Sequence, residues 1–583
     1  MNSRHPVFLV CAVSIAFLGL GFPATALWDE DEPRFAAIAE TMFATGDWVV
    51  PRYNDTLAVD KPVLMHWCMA ACYGVFGVSE FSARLPSMIA TLLTALALLR
   101  AGSNWFNTPT GVIAALAYVG CLLVGIESHA ATPDAILTAL CTWATLLVAE
   151  AILPLPGRTA PLRMTVSRAA IVGGLLGLGV LCKGPIGYVG PLAVLLPWAW
   201  CIAVADRMSG RRQVQPTLQS LMADTVPATL RALSTTRFGV LTLAMLVVAL
   251  PWYVLVGMRT DGAWPAGFFF IHNIGRAAAA MESHGGGVWY HPVTMLVGFY
   301  PWSCFLPFSM VLVAWRMFHR TEAAKPVWVN GLLLLWIAVW VTGFSIAATK
   351  LPNYVMPAYP AAALLVAAVA VEAASRERWP HPGWLTIGLG WLAFGGIATA
   401  AVVITTTFFG MPDAAPAAVV GIVPVAGAII CFWIGRQDRL AAVQAFAVVA
   451  LVYTTLAVGP VASWLGRANA LPELVTTAHA IAGGKARIGT FTHNTPNIVF
   501  YSHGRVEEWQ GDEAEAAAEF LESGPDAFVI VPAHRLDLLI GGLPEGYGIV
   551  GRRRPLFRRH DFLLIGRQPE PVTLTATAPT RSR

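Results

Sequence analysis

Thirteen apolar runs dominate this 583-residue chain, most of them close to 20 residues long. About 20 apolar residues is the length that carries a helix across the hydrocarbon core of a bilayer. The runs lie at 7–26, 83–99, 109–126, 135–153, 169–182, 185–205, 238–257, 292–315, 327–347, 352–374, 384–408, 416–435 and 440–464. Hydrophobic side chains make up 56% of the chain and charged ones 12%, about half the charged share of soluble domains. A soluble core cannot hide so much apolar chain behind 38 basic and 34 acidic residues. The chain therefore reads as a mostly α-helical, polytopic membrane protein. Only Lys183 and Gly184 separate the fifth run from the sixth, so these are either two spans or one long or re-entrant element.

Counting Lys and Arg in alternate loops tests the orientation. One side of the spans holds seventeen and the other eight, which places the N-terminus in the cytoplasm. After an odd number of spans the last 118 residues lie outside. Ala24-Thr25-Ala26 has the pattern of a signal-peptide cleavage site, but the segment before the run carries a single Arg and the run is long enough to span, so it reads as retained. Beyond 465 the polar residues return. Short β-rich runs at 487–491, 526–532 and 561–567 alternate with a helix expected over 512–523, the pattern of a small external α/β domain. The expected organisation is a transmembrane domain over 1–465 that includes an external loop at 27–82, an external domain over 466–567, and a disordered tail rich in Pro, Thr and Ala over 568–583. A net charge of +4 with no dense basic cluster gives no support to a nucleic-acid partner. The nine cysteines form no disulfide framework or paired metal motif.

The loop at 27–82 gathers acids, bases and amphipathic helices. Asp29-Glu30-Asp31-Glu32 puts four carboxylates at the mouth of the first span, and Pro33 sits where a helix starts. Phe35, Ile38, Met42 and Phe43 then recur at helical spacing until Gly46, as in a helix lying in the membrane interface. A second such helix is expected from Lys61-Pro62 to about Phe76. Each acid alone fits a solvated helix start favoured by the helix dipole. As a set they do more. Arg34 shares a helical face with Asp31, and Asp60-Lys61 repeats the pairing of acid and base, an arrangement costly at membrane depth unless used.

Further charges stand at the external ends of other spans. Asp134 opens the fourth, where a helix cap is the plain alternative. Lys183 in Cys182-Lys183-Gly184-Pro185 and Lys350 in Thr349-Lys350-Leu351-Pro352 face outward, with snorkelling as theirs. The loop after the seventh span adds His272, Asn273 and Arg276, then His284 and Trp289-Tyr290-His291. Carboxylates for base work, cations for an anionic leaving group and aromatics for a ring thus converge on one membrane face.

Six motifs in order carry a family resemblance. Asp31-Glu32-Pro33-Arg34-Phe35, Gly46-Asp47-Trp48-Val49-Val50-Pro51-Arg52, Asp60-Lys61-Pro62, Lys183-Gly184-Pro185, His272-Asn273-Ile274-Gly275-Arg276 and Lys350-Leu351-Pro352-Asn353-Tyr354-Val355-Met356-Pro357 resemble the bacterial aminoarabinose-transferase branch of the GT-C glycosyltransferases, relatives of the protein O-mannosyltransferases. The likeness covers about 2–360. It implies a GT-C-like fold in the bacterial inner membrane and a sugar taken from a polyprenyl-phosphate donor, such as undecaprenyl phosphate, on the external face. It also implies catalytic carboxylates at Asp31 and Asp134, and phosphate or pocket positions at Arg34, Lys61, His272 and Tyr354. Where the family has Glu-Lys-Pro this chain has Asp60-Lys61-Pro62, one methylene shorter.

The donor already carries a good leaving group, so the enzyme has to activate an acceptor oxygen and stabilise the departing phosphate. Asp31, with Asp134, is expected to orient or deprotonate the acceptor. Arg34, Lys61, Lys183, Arg276 and Lys350 are expected to hold phosphate beside Tyr354, and the anomeric carbon inverts. A divalent metal ion is a possible cofactor, with Asp60 and His272 as its ligands. The acceptor is expected to be a lipid A-like glycolipid, with a glycan or protein as alternatives. A lipid-linked sugar transporter or flippase would carry charges in mid-span and paired broken helices; here Glu150 and Glu372 lie near cytoplasmic span ends. A non-catalytic receptor is a third reading.

Overall fold

The computed structural model describes residues 4–20, 25–28, 31–154, 162–209, 218–275, 285–319, 324–376, 383–408, 412–466, 470–493, 496–540, 543–554 and 560–568. Asp29, Glu30, Arg276, His284 and nearly all of the expected tail at 568–583 lie outside the described residues. The chain divides into two compact units, one of Met1–Thr25 with Ile38–Ser463 and one of Ala26–Ala37 with Trp464–Arg583.

In the first unit, helices stand at all thirteen expected spans. Among the described residues ten are long and apolar enough to cross a membrane. The expected span at 109–126 is a bent pair, α5 (Thr108–Val119) and α6 (Leu122–Ser128), turned by 67°, and counting it as one span gives eleven. Its bend falls at Gly120-Cys121, where the backbone leaves helical geometry and the Leu122 amide donates to the Tyr300 carbonyl at 2.9 Å. The other two of the thirteen are shorter, His5–Leu20 and Trp302–Phe318. The second of these is cut from the preceding helix Tyr290–Gly298 around Pro301, which has no amide hydrogen to continue a helical ladder.

Local chemistry sets several of these boundaries. α4 (Glu80–Trp105) starts from a capping box in which Ser79 and Ser82 each accept the other's amide. α5 starts where Asn107 Oδ1 takes the Thr110 amide at 2.9 Å. α7 (Asp134–Ile152) follows, and α8 (Val166–Lys183) is capped by Thr165. Gly184 ends α8 at φ +78, and α9 (Ile186–Ser209) begins two residues later. The break is therefore a turn between two spans, not a continuous helix. The helix Phe238–Arg259 packs tightly on α8: a Cβ at Gly173 would come 2.2 Å from the Leu241 carbonyl oxygen, and one at Gly177 2.8 Å from that of Met245. Small residues spaced by four let two backbones approach in this way.

The loop between the first spans folds as expected in outline. α2 (Asp31–Thr45) buries Phe35, Ile38 and Met42 and leaves Phe43 exposed. α3 (Leu64–Phe76) starts three residues later than Lys61, because the residue before Pro62 avoids helical geometry and Val63 takes the cap. Between them β1 (Arg52–Tyr53) and β2 (Thr56–Leu57) form a two-residue hairpin, with Asn54 and Asp55 at positive φ.

The second unit is built on a five-stranded sheet. Its strands are β3 (Arg487–Phe491), β4 (Glu507–Trp509), β5 (Ala527–Pro532), β6 (Tyr547–Arg553) and β7 (Phe562–Arg567), in the order β4-β3-β5-β7-β6. β3 is parallel to β4 and β5, whereas β7 is antiparallel to β5 and β6. β5 is buried along its whole length, as a central strand covered on both faces has to be. The helix Ala514–Glu522 stands at the expected 512–523 and buries Ala517 and Leu521 against it. β4 and β6 were not legible in the sequence, being a three-residue strand and a Gly- and Arg-rich edge. Within this unit the Leu27 amide donates to the Tyr501 hydroxyl at 2.9 Å, and Glu32 takes the Trp28 amide at 2.6 Å.

Candidate active site

A cavity of about 260 Å³ opens in the first unit. Asp60, Lys61, Lys183, His272, Asn273 and Thr349 supply its polar wall. Leu137, Ile186, Phe268, Trp340, Phe344 and Ala347 supply the apolar one, and Tyr354 stands with them. Five of the residues given a site role in the sequence therefore share one space, Asp60, Lys61, Lys183, His272 and Tyr354, together with Asn273 from the same loop as His272.

A buried charge cluster borders it. Asp134 is the first residue of α7, with Pro133 as the cap, so its carboxylate is not spent on its own helix. One oxygen pairs with the Lys183 ammonium, and the other accepts from Asn353 Nδ2 at 3.1 Å. The two charged side chains are 5% and 13% exposed, where a pair survives only if its remaining bonds are met. The Lys183 ammonium also lies 4.9 Å from the centre of the Tyr354 ring, a cation–π distance. The sharp turn at Gly184 puts Lys183 here, since a Cβ at Gly184 would meet the Phe268 ring at 2.6 Å. Lys183 is thus committed to a carboxylate and an aromatic face, which is more than the snorkelling reading gave it.

Lys350 is placed differently. Its ammonium, buried, donates to the carbonyl oxygens of Ser345 at 2.8 Å and Ala347 at 2.7 Å. It closes the end of the helix Ala324–Ile346 and does not line the cavity. Asp31 and Arg34 belong to the second unit. Asp60 and His272 both face the cavity, but among the described residues no three His, Cys, Asp or Glu side chains group closely enough to cage a metal ion. In the loop beside Asp60, burial drives the His66 imidazole down to about 4 against the pull of that carboxylate, so it is neutral at physiological pH. Asp47 is buried in part, which opposes its charge, but the amides of Val49 and Val50 and the Arg259 guanidinium at 2.8 Å hold its carboxyl below the usual range.

Sequence reasoning missed Asn353, Trp340 and Phe344. Asn353 sat inside a quoted motif with no role, and its partner is 219 residues away. Trp340 and Phe344 lie in a span where aromatic residues carry no signal, although their spacing of four puts them on one face.

The family model for dolichyl-phosphate-mannose-protein mannosyltransferases matches residues 60–223, which hold Asp60, Lys61, Asp134 and Lys183. The undecaprenyl phosphate-alpha-4-amino-4-deoxy-L-arabinose arabinosyl transferase of Yersinia pestis (strain Pestoides F) is 30% identical over 355 residues, 60% of this chain and 57% of the relative. The corresponding protein of Erwinia tasmaniensis is 28% identical over 66% of this chain and 62% of its own length. The chain thus matches somewhat under two thirds of the length of these relatives. Its fold is similar to the crystal structure of ArnT from Cupriavidus metallidurans bound to undecaprenyl phosphate, with a TM-score of 0.75 and 21% identity over 97% of this chain and 98% of that one. The apo form of the same protein gives 0.73. The chain is a multi-pass membrane protein with an ArnT-like fold of the GT-C type.

Proposed function

We propose that this protein moves a sugar from a polyprenyl-phosphate carrier, undecaprenyl phosphate, to a lipid A-like glycolipid on the external face of the bacterial inner membrane. The observation that carries this reading is the cavity that joins Lys61 and His272 to the Asp134–Lys183 pair, beside an aromatic wall. Cations there suit a phosphate, and the aromatic wall suits the apolar face of a sugar. The excess of Lys and Arg on the opposite side of the spans supports an external site, with the N-terminus in the cytoplasm.

In the reaction an acceptor hydroxyl oxygen attacks the anomeric carbon as the bond from that carbon to the phosphate oxygen breaks. The acceptor loses its proton to a carboxylate, the polyprenyl phosphate departs with the bonding electrons, and the anomeric carbon inverts. Asp31 is assigned the proton. Both Asp134 oxygens are already engaged by Lys183 and Asn353, which suits that carboxylate to holding charge and geometry. Lys61, Lys183, Arg34 and Arg276 are assigned the developing phosphate charge; Lys350, spent on the Ser345 and Ala347 carbonyls, holds the end of its helix instead. Asp60 and His272 offer two donors, fewer than the three or more that a protein zinc site uses. A divalent ion held by Asp60 and His272 would supply charge neutralisation.

The match to the mannosyltransferase model favours one second reading, the same donor chemistry with a protein acceptor. The test is transfer of label from a panel of polyprenyl-phosphate sugars to membrane lipids and proteins, with the purified protein beside its Asp31→Asn variant. Label in a glycolipid, lost in the variant, is the expected result. Label in protein selects the second reading. Equal transfer by both forms removes Asp31 from the mechanism.

A further inference from the structure

Tryptophans in the first unit find acceptors for their indole N–H groups. Trp67 donates to the Trp48 carbonyl at 2.8 Å, Trp198 to that of Trp328 at 2.9 Å, Trp252 to that of Val49 at 3.0 Å and Trp264 to that of Ala58 at 2.7 Å. Trp340 differs. It is 2% exposed, and its Nε1 has no partner among the described residues. Trp302 shares that condition, but it lines an apolar void of about 10 Å³, room for a single water at most. Trp340 lines the 260 Å³ cavity. A buried donor left unpaired keeps its full desolvation cost, and that cost invites an explanation in what the cavity binds.

The indole is fixed in place. Phe344 stacks on it with ring centres 6.0 Å apart and planes 23° apart, and Tyr354 continues the wall at 5.0 Å from Phe344. On the other side it lies against Gly190, where a Cβ would come 2.5 Å from Cζ2. Any side chain at 190 pushes the ring away. In the residue before Tyr354, Asn353 Oδ1, whose amide nitrogen is held by Asp134, is likewise without a partner among the described residues. Apart from its charged groups, the cavity therefore has an aromatic wall that includes a neutral donor without a partner among the described residues. A phosphate is served by the lysines; a neutral donor suits a hydroxyl or ether oxygen. The volume is below the range of about 300–1,000 Å³ usual for drug-sized ligands, which fits one sugar ring.

Resting on the proposed donor chemistry, we propose that Trp340 is a specificity-determining residue that donates its indole hydrogen to a ring substituent oxygen of the donor sugar, with Phe344 and Tyr354 as the wall the sugar packs on.

The test compares wild type with Trp340→Phe, which keeps a ring and deletes the donor. Two quantities are read: KM and kcat for the lipid-linked sugar, and inhibition by polyprenyl phosphate lacking a sugar. Trp340→Phe is expected to raise KM about tenfold, the loss for one hydrogen bond inside a protein, and to leave inhibition by the bare carrier within about twofold. Gly190→Ala is expected to share this selective loss. Unchanged KM, or equal weakening towards sugar-bearing and bare carrier, overturns the assignment while leaving the transferase reading intact. A wild type that neither transfers sugar nor is inhibited by polyprenyl phosphate overturns that reading and the assignment with it. Should Trp340→Phe fail to fold, a set of donors with each ring oxygen substituent replaced in turn by hydrogen is run on wild type. One member losing about tenfold supports the proposal, and none doing so overturns it.

Discussion

The helix α7 carries a carboxylate near each end, and the two ends have opposite surroundings. Glu150 meets Arg100 in a two-pronged contact, Nε to Oε1 at 3.1 Å and Nη2 to Oε2 at 2.8 Å, with the arginine side chain 49% exposed. Asp134 meets Lys183 in a pair shielded from solvent, beside a cavity. Arg316 and Arg376, both on Glu372 at 2.8 and 2.7 Å, belong with the first kind. Water screens an exposed pair whether or not it forms, so that pair contributes little. A pair withdrawn from water loses most when one partner is removed. The difference separates charges that finish a helix end from charges that build a site.

That contrast can be broken most forcefully at Asp134. Asp134→Ala strands the buried Lys183 ammonium, and the expected outcome is a loss of about 3–5 kcal/mol of stability in detergent-solubilised thermal unfolding, together with at least about a hundredfold loss of transfer. The Asp134→Ala, Lys183→Met double variant is expected to be more stable than the single one, because no unpaired charge remains. If the single variant is as stable as wild type, the pair is not shielded as described.

Gly184→Ala tests how the turn aims Lys183. Its positive φ and the 2.6 Å approach to Phe268 predict a loss of about 1–3 kcal/mol, read as a lowered unfolding temperature, with a raised KM as Phe268 shifts in the cavity wall. Glu150→Gln sets the scale at the other end of α7. It is expected to cost no more than about 1 kcal/mol and to leave transfer within about twofold. A large loss of activity there contradicts the division between the two ends.

The smallest effect concerns Asp47, beside the half-exposed Arg259. Its folded carboxyl titrates below the ordinary value of 3.8. The stability it contributes is therefore present above that value and is lost as pH falls through the folded value. Wild type is expected to lose slightly more stability than Asp47→Asn below about pH 4, and identical pH profiles would remove the interaction.

Span positions were legible because a bilayer demands long apolar helices, and all thirteen runs became helices. Their continuity was not. The breaks at Gly120 and around Pro301 come from local backbone chemistry that a hydropathy run passes over. The candidate site was half legible. Asp60, Lys61, Lys183, His272 and Tyr354 stand out because charge and aromatic groups at span ends are conspicuous. The engagement of Lys350 by two carbonyls and the bond from Asn353 to Asp134 depend on tertiary approach. Trp340 was invisible for a related reason. In an apolar span an indole looks like any other large side chain, and only the missing partner for its N–H marks it.

The most direct measurement is a structure of the protein with a lipid-linked sugar bound in the absence of acceptor. The account predicts the phosphate at Lys61 and the sugar ring inside the cavity, against Phe344 and Tyr354, with one of its oxygens at the Trp340 indole nitrogen. A carrier phosphate held away from Lys61, with the cavity empty of sugar, contradicts it.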